Sequence, residues 1–112
     1  MEDLLKQKCV ACRADAPRVT DDELPGLLKE IPDRQPITKD SVLMLNKVFK
    51  FDDYEQSLNF TQKVAALAEE EDHHPAILLE WGKVEVTWWT HKIGGLHKND
   101  FIAAAKTDAL NS

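Results

Sequence analysis

The stretch EEEDHHPAILLEWGKVEVTWWTHKIGGLHKND, residues 69 to 100, holds all four histidines of the chain, His73, His74, His91 and His97, and all three tryptophans, Trp81, Trp88 and Trp89. Its pattern changes three times. An acidic run ends a helical pattern, Pro75 punctuates it, and residues 76 to 81 and 83 to 89 then read as two strands parted by little more than Gly82, hence a tight hairpin. Alternation in the second run puts Val84, Val86 and Trp88 on one face. Glu85, Thr87, Trp89 and, if the strand persists, His91 fall on the other. Trp88 is therefore the core candidate. Gly94-Gly95 breaks the strand, and a last helix is predicted over about residues 98 to 110, with Ile102, Ala105 and Ala109 inward.

Working outward, Thr20 with Glu23 makes a capping box, and Val19 can pack on Leu24 as a hydrophobic staple. Leu24, Leu27, Leu28 and Ile31 recur at i, i+3, i+4 and i+7, a helical stripe that stops before Pro32 and is weakened by Pro25 and Gly26. Pro32 and Pro36 mark a loop. Residues 37 to 39, a turn at Asp40-Ser41 and residues 42 to 51 then suggest a first hairpin. Its longer arm is apolar on both sides, with Leu43, Leu45, Phe49 and Phe51 on one face and Val42, Met44 and Val48 on the other. Asp53 followed by Gln56 caps a long helix in which Phe60, Val64, Leu67 and Ala68 share a face, ending near Glu71.

The order helix, strand, strand, helix, strand, strand, helix predicts an α+β domain of two layers. Hairpins impose antiparallel pairing, and three helices can cover one face of a four-stranded sheet. Residues 1 to 18 show no sustained period and read as an N-terminal arm, leaving residues 19 to 112 as a single domain.

A chain of 112 residues, 43% hydrophobic and 30% charged, fits one globular domain. No apolar run is long enough to span a bilayer. With 20 acidic against 14 basic residues and a net charge of −6, direct binding to nucleic-acid phosphate is not expected. The start of the chain lacks the pattern of a signal peptide, which predicts a cytoplasmic protein with Cys9 and Cys12 reduced. One C-x-x-C supplies only half a zinc site, and no strand precedes it as in redox motifs, so it is read as two thiols on the arm.

Three histidines near one another suggest proton transfer near neutral pH or a metal. Negative charge at residues 69 to 72 opposes the dipole of the helix it closes, so its placement calls for a reason. Helix carbonyls and carboxylates together favour an imidazolium at His73, which supplies a proton donor. Asp72 is the acid expected to orient a histidine directly. Zinc held by three histidines is the alternative, but no HExxH helix or ligating carboxylate at a familiar spacing accompanies them. No serine or thiol sits in a nucleophile setting. His97 is read as structural, either it or Asn99 capping the last helix. Trp89, beside His91 on the polar face, could carry a flat bicyclic ligand.

Asp72-His73-His74-Pro75, the aromatic at Trp81, Thr90-His91, Gly94-Gly95-Leu96 and Asp100, in that order and spacing, resemble the signature of the pterin-4a-carbinolamine dehydratases. Weaker similarity extends over roughly residues 20 to 110, and Arg34 stands where that family usually has a tryptophan. The resemblance implies the same α+β fold and the dehydration of 4a-hydroxytetrahydrobiopterin to the quinonoid dihydropterin, with no metal and no cofactor. His73 and His91 are then candidates for the acid toward the hydroxyl, with His74 binding and polarising the ring or acting as base. Asp72, Trp89, Thr90 and Lys92 would complete the substrate site. The implied partners are the pterin carbinolamine, further copies of the chain in a dimer or tetramer, and a functional coupling to phenylalanine hydroxylase. Two alternatives stand beside it: a non-enzymatic binding module that partners or regulates transcription factors, and a metal-dependent hydro-lyase built on the histidines.

Overall fold

Strand alternation and two short turns dictate the architecture. The computed structural model describes residues 19–20, 22–29, 31, 35–39, 42–90 and 95–111. In chain order these form α1 (Leu24–Leu28), β1 (Gln35–Lys39), β2 (Val42–Lys50), α2 (Tyr54–Glu71), β3 (Ala76–Glu80), β4 (Lys83–Trp88) and α3 (Lys98–Leu110). The predicted α+β order is the observed one. The expected N-terminal arm and Arg34 lie outside the described residues.

All pairings in the sheet are antiparallel, and the strand order is β1-β2-β4-β3, with β2 and β4 central. Lys39 opposite Val42 and Glu80 opposite Lys83 leave two residues for each hairpin link, as the turn signals required. The Phe51 amide donates to Gly82 O at 2.9 Å, which ties the second turn to the end of β2. Leu45, Phe49, Val84, Val86 and Trp88 point toward the helices and are buried. Each such side chain contributes about 1.5–3 kcal/mol relative to exposure. The other face carries Met44, Asn46 and Val48 from β2 beside Glu85 and Thr87 from β4.

Helix α2 begins as its capping residues foretold: Asp53 is extended, and its carboxylate accepts the Gln56 amide at 2.9 Å. Phe60, Val64 and Ala68 are buried along it, and the Phe60 ring meets Phe49 and Phe51 at centroid distances of 4.7 and 5.2 Å. Helix α1 is shorter than the apolar stripe predicted. The Thr20–Glu23 box does form, with the Glu23 amide on Thr20 Oγ1 at 3.2 Å and the Thr20 amide on Glu23 Oε1 at 3.1 Å. The Thr20 amide, and then its hydroxyl, hold the Glu23 carboxyl below the usual carboxylate range. Pro25 and Gly26 nevertheless fall inside a helix of only five residues, and Ile31 lies beyond its end, yet it is buried in the core.

Helix α3 corrects the predicted face. Ile102 is buried and Ala105 half-buried, but Ala109 is exposed. The inward stripe is instead Asp100, Ala103, Ala104 and Thr107, at i, i+3, i+4 and i+7, flanked by Phe101 and Ile102. Its two polar members concealed it in the sequence. Thr107 earns its place by bonding: its hydroxyl accepts the Trp88 indole N–H at 3.1 Å and donates to Ala103 O at 2.7 Å.

Candidate active site

The end of α2 sets the first part of the site. Asp72 is left-handed (φ 51°), its amide donates to Glu69 O at 3.3 Å, and the His73 amide donates to Ala68 O at 3.1 Å. This is the pair of bonds of a Schellman motif, in which aspartate tolerates the left-handed position better than most residues. It turns the chain sharply, so that His73 enters the interior while His74 stays at the surface.

The His73 ring stacks on Trp88 with centroids 5.5 Å apart and planes at 20°, and only 5% of the residue is exposed. Its Nε2 lies 2.6 Å from Asp100 Oδ1. Asp100 is fully buried, and its second oxygen accepts the Thr90 hydroxyl at 2.8 Å and the His97 amide at 2.9 Å. His97 Nδ1 in turn accepts the Asn99 amide at 3.0 Å, completing the cap of α3. One carboxylate thus joins the loop after α2, the end of β4 and the start of α3. A carboxylate is an acceptor only, so His73 Nε2 carries the proton in this pair.

His74 Nε2 lies 2.7 Å from Glu69 Oε1, with His74 and Glu69 side chains 55% and 81% exposed. Asp72, the acid expected to orient a histidine, does not do so: its side chain is exposed, and other carboxylates bond the two imidazoles. Glu69 and Asp100 hold the two imidazoles instead. The rest of the acidic run is also divided. Glu70 is exposed, whereas Glu71 is buried and accepts the Lys106 Nζ at 3.2 Å, bracing the end of α2 against α3.

Of the residues singled out in the sequence, the structure brings together His73 and Thr90, with His74 adjacent in the chain. Trp89 faces the opposite side of the sheet from Trp88 and lines a cleft of about 340 Å³. His91, Lys92 and Gly94 lie outside the described residues, whereas Gly95 is buried and bridges Thr90, whose amide donates to Gly95 O at 2.8 Å. Asp100 is the site residue to which sequence reasoning gave no role. In the sequence it stood only as the last member of the ordered set that begins at Asp72. Among the described residues no three His, Cys, Asp or Glu side chains converge as a metal's ligands. Cys9, Cys12 and His91 are not among them.

Fold and site together define a class: a two-layer α+β domain with a histidine–carboxylate centre at one end of its antiparallel sheet. The chain belongs to the pterin 4 alpha carbinolamine dehydratase family, whose model matches residues 17–110. A protein of Marinobacter nauticus, provisionally named pterin-4-alpha-carbinolamine dehydratase, is 62% identical over 110 residues, covering 98% of this chain and 99% of its own. One of Nitrosococcus oceani with the same provisional name is 58% identical over 110 residues, covering 98% and 97%. Among solved structures, a transcriptional coactivator/pterin dehydratase from Brucella melitensis superposes with a TM-score of 0.77 at 29% identity, covering 86% of this chain and all of that one. A pterin dehydratase-like protein identified as a RuBisCO assembly factor in the alpha-carboxysome superposes at 0.60 with 30% identity, covering 72% and 92%.

Proposed function

We propose that this protein dehydrates 4a-hydroxytetrahydrobiopterin to the quinonoid dihydropterin, by proton transfer between histidines and substrate. The reaction breaks the C4a–O bond, with a proton delivered to the departing oxygen so that water leaves. The N5–H proton is removed as the C4a=N5 bond forms. One acid and one base balance it, with no net change in protons. The observation that carries this reading is the His73–Asp100 contact. A buried carboxylate that accepts from Nε2 holds the imidazole in one tautomer and one orientation, as a histidine working as acid or base requires.

His73 and His91 are assigned as acid candidates. His74, oriented from the surface by Glu69, is assigned to hold and polarise the ring or to take the N5 proton. Asp72, Trp89, Thr90 and Lys92 complete the proposed substrate site. In this role the protein returns the pterin cofactor of aromatic amino acid hydroxylases such as phenylalanine hydroxylase to the cycle, in the cytoplasm.

Stopped-flow measurement of carbinolamine dehydration tests the reading. Exhaustively chelated protein, freed of metal by elemental analysis, is expected to keep full turnover. Loss of turnover on chelation and its return with zinc would favour the metal-dependent alternative. A folded protein with no turnover would favour the binding module.

The proposal also includes assembly into a dimer or tetramer. The sheet face away from the helices exposes Ile37, Val48 and Leu78, while Tyr54 and Leu58 on α2 and Trp81 in the adjoining turn are 46%, 36% and 67% exposed. Association uses a strand edge, helix α2, or both. Sedimentation at micromolar concentration is expected to show a species larger than the monomer; a monomer alone would contradict this.

A further inference from the structure

The open face of the sheet holds an ordered gradient of chemistry that the proton-transfer site does not use. At one end of the cleft Ile37, Met44 and Trp89 form an apolar wall. Along the strands from it lie Asn46, Thr87 and Glu85, all half-buried. The register sets Asn46 beside Thr87, and Thr87 beside Ala76, in one row across β2, β4 and β3. Asn46 Nδ2 donates to Glu85 Oε2 at 3.2 Å and to Thr87 Oγ1 at 3.0 Å. Both amide protons of Asn46 are thereby committed within the cluster. The acceptors that it offers an occupant are Asn46 Oδ1 and the Glu85 carboxylate, and the donor is the Thr87 hydroxyl.

This cleft adjoins the proposed site at both of its chain segments. Ala76 follows His74 by two residues, and Trp89 immediately precedes Thr90. From Trp89 to Glu85 the strand runs about 13 Å, enough for a bicyclic ring followed by a short chain. A ring seated against Trp89 lies at the end of the cleft where β4 runs on to Thr90 and β3 begins two residues after His74. Its next substituent then falls on the polar row.

We propose that the Asn46–Glu85–Thr87 cluster is a specificity subsite for the hydroxylated C6 side chain of the pterin. The inference rests on the dehydratase reading above. Hydroxyl groups both donate and accept, which matches a cluster offering two acceptors and one donor, whereas a bare methyl at C6 satisfies none of them. A site that hydrogen-bonds a hydroxyl discriminates against the analogue that lacks it, because its own polar groups are left unpaired.

The test compares carbinolamines made from tetrahydrobiopterin, with its dihydroxypropyl chain, and from 6-methyltetrahydropterin. For each of wild type, Glu85→Gln and Asn46→Ala the readout is the ratio of kcat/KM for the two substrates measured on one preparation. That ratio is independent of the fraction of correctly folded protein. Wild type is expected to favour the dihydroxypropyl substrate by about tenfold, less than in an enclosed site because the cleft meets water. Both variants are expected to bring the ratio close to one, chiefly through KM. A wild-type ratio of one, or a ratio unchanged in both variants, overturns the subsite while leaving the dehydratase reading intact. Absence of turnover with either substrate in wild type removes the dehydratase reading, and the subsite with it.

Discussion

His73→Ala is expected to lower kcat for carbinolamine dehydration by about 10² to 10⁴, equivalent to roughly 3–5 kcal/mol of barrier, the usual weight of one positioned acid or base. The loss should depend on which face of the ring carries the hydroxyl. C4a is tetrahedral, and a group that protonates the oxygen on one face cannot reach it on the other. If His73 and His91 each serve one face, each single alanine variant loses turnover on one separated stereoisomer and keeps it on the other. His74→Ala is expected chiefly to raise KM, since its ring is held at the surface by Glu69 rather than in the buried network. Stopped-flow traces on the separated isomers give the result. Equal losses on both isomers for His73→Ala and His91→Ala would defeat the division between faces.

Asp100→Ala should be the most damaging single change to the fold near the site. It deprives three donors of one buried acceptor: His73 Nε2–H, the Thr90 hydroxyl and the His97 amide. Each buried donor left unpaired costs about 1–3 kcal/mol, so a total loss of about 3–5 kcal/mol of unfolding free energy is expected. Urea denaturation followed by tryptophan fluorescence measures it. Asp100→Asn keeps the volume but turns an amide N–H₂ toward groups that are themselves donors. It is expected to fold with a smaller loss and to turn over about 10² or more times slowly, because His73 no longer has its Nε2 proton fixed. Wild-type turnover in a folded Asp100→Asn protein would show that the carboxylate serves structure alone.

What the sequence disclosed, and what it did not, follows from range. The hairpins, the capping by Asp53 and the inward set Val84, Val86 and Trp88 are written in neighbours two to four residues apart, where period and turn chemistry act. The strand order is not local, because β2 and β4 pair through residues that are far apart in the chain. The same limit hid the site. His73 and Asp100 are separated by 27 positions, and no local pattern ties the first turn of the last helix to the loop after α2. Glu71 belonged to an acidic run that opposes its own helix dipole, and its partner Lys106 lies 35 positions on. The misplaced negative charge at the end of α2 was a correct signal with the wrong addressee. Glu69 and Glu71 have specific cationic or imidazole partners, whereas Asp72, nearest the histidines in sequence, serves the turn.

Trp88 and Trp89 show the opposite outcome. Alternation alone separated them: Trp88 lies under the helices with His73 stacked on it, and Trp89 faces the cleft of the open face. A shift of one residue in register would have exchanged them. Strand parity therefore decides which indole supports the histidine and which lines the cleft of the open face.

The central claim is that histidine proton transfer, anchored on Asp100, performs the dehydration. Its most direct test is the single-turnover dehydration rate of a mixed-stereoisomer carbinolamine by the double variant His73→Ala/His91→Ala, beside wild type and the two single variants at one pH. The account predicts partial rates for the singles and a rate indistinguishable from the uncatalysed reaction for the double. A folded double variant that dehydrates the substrate at the wild-type rate would contradict it.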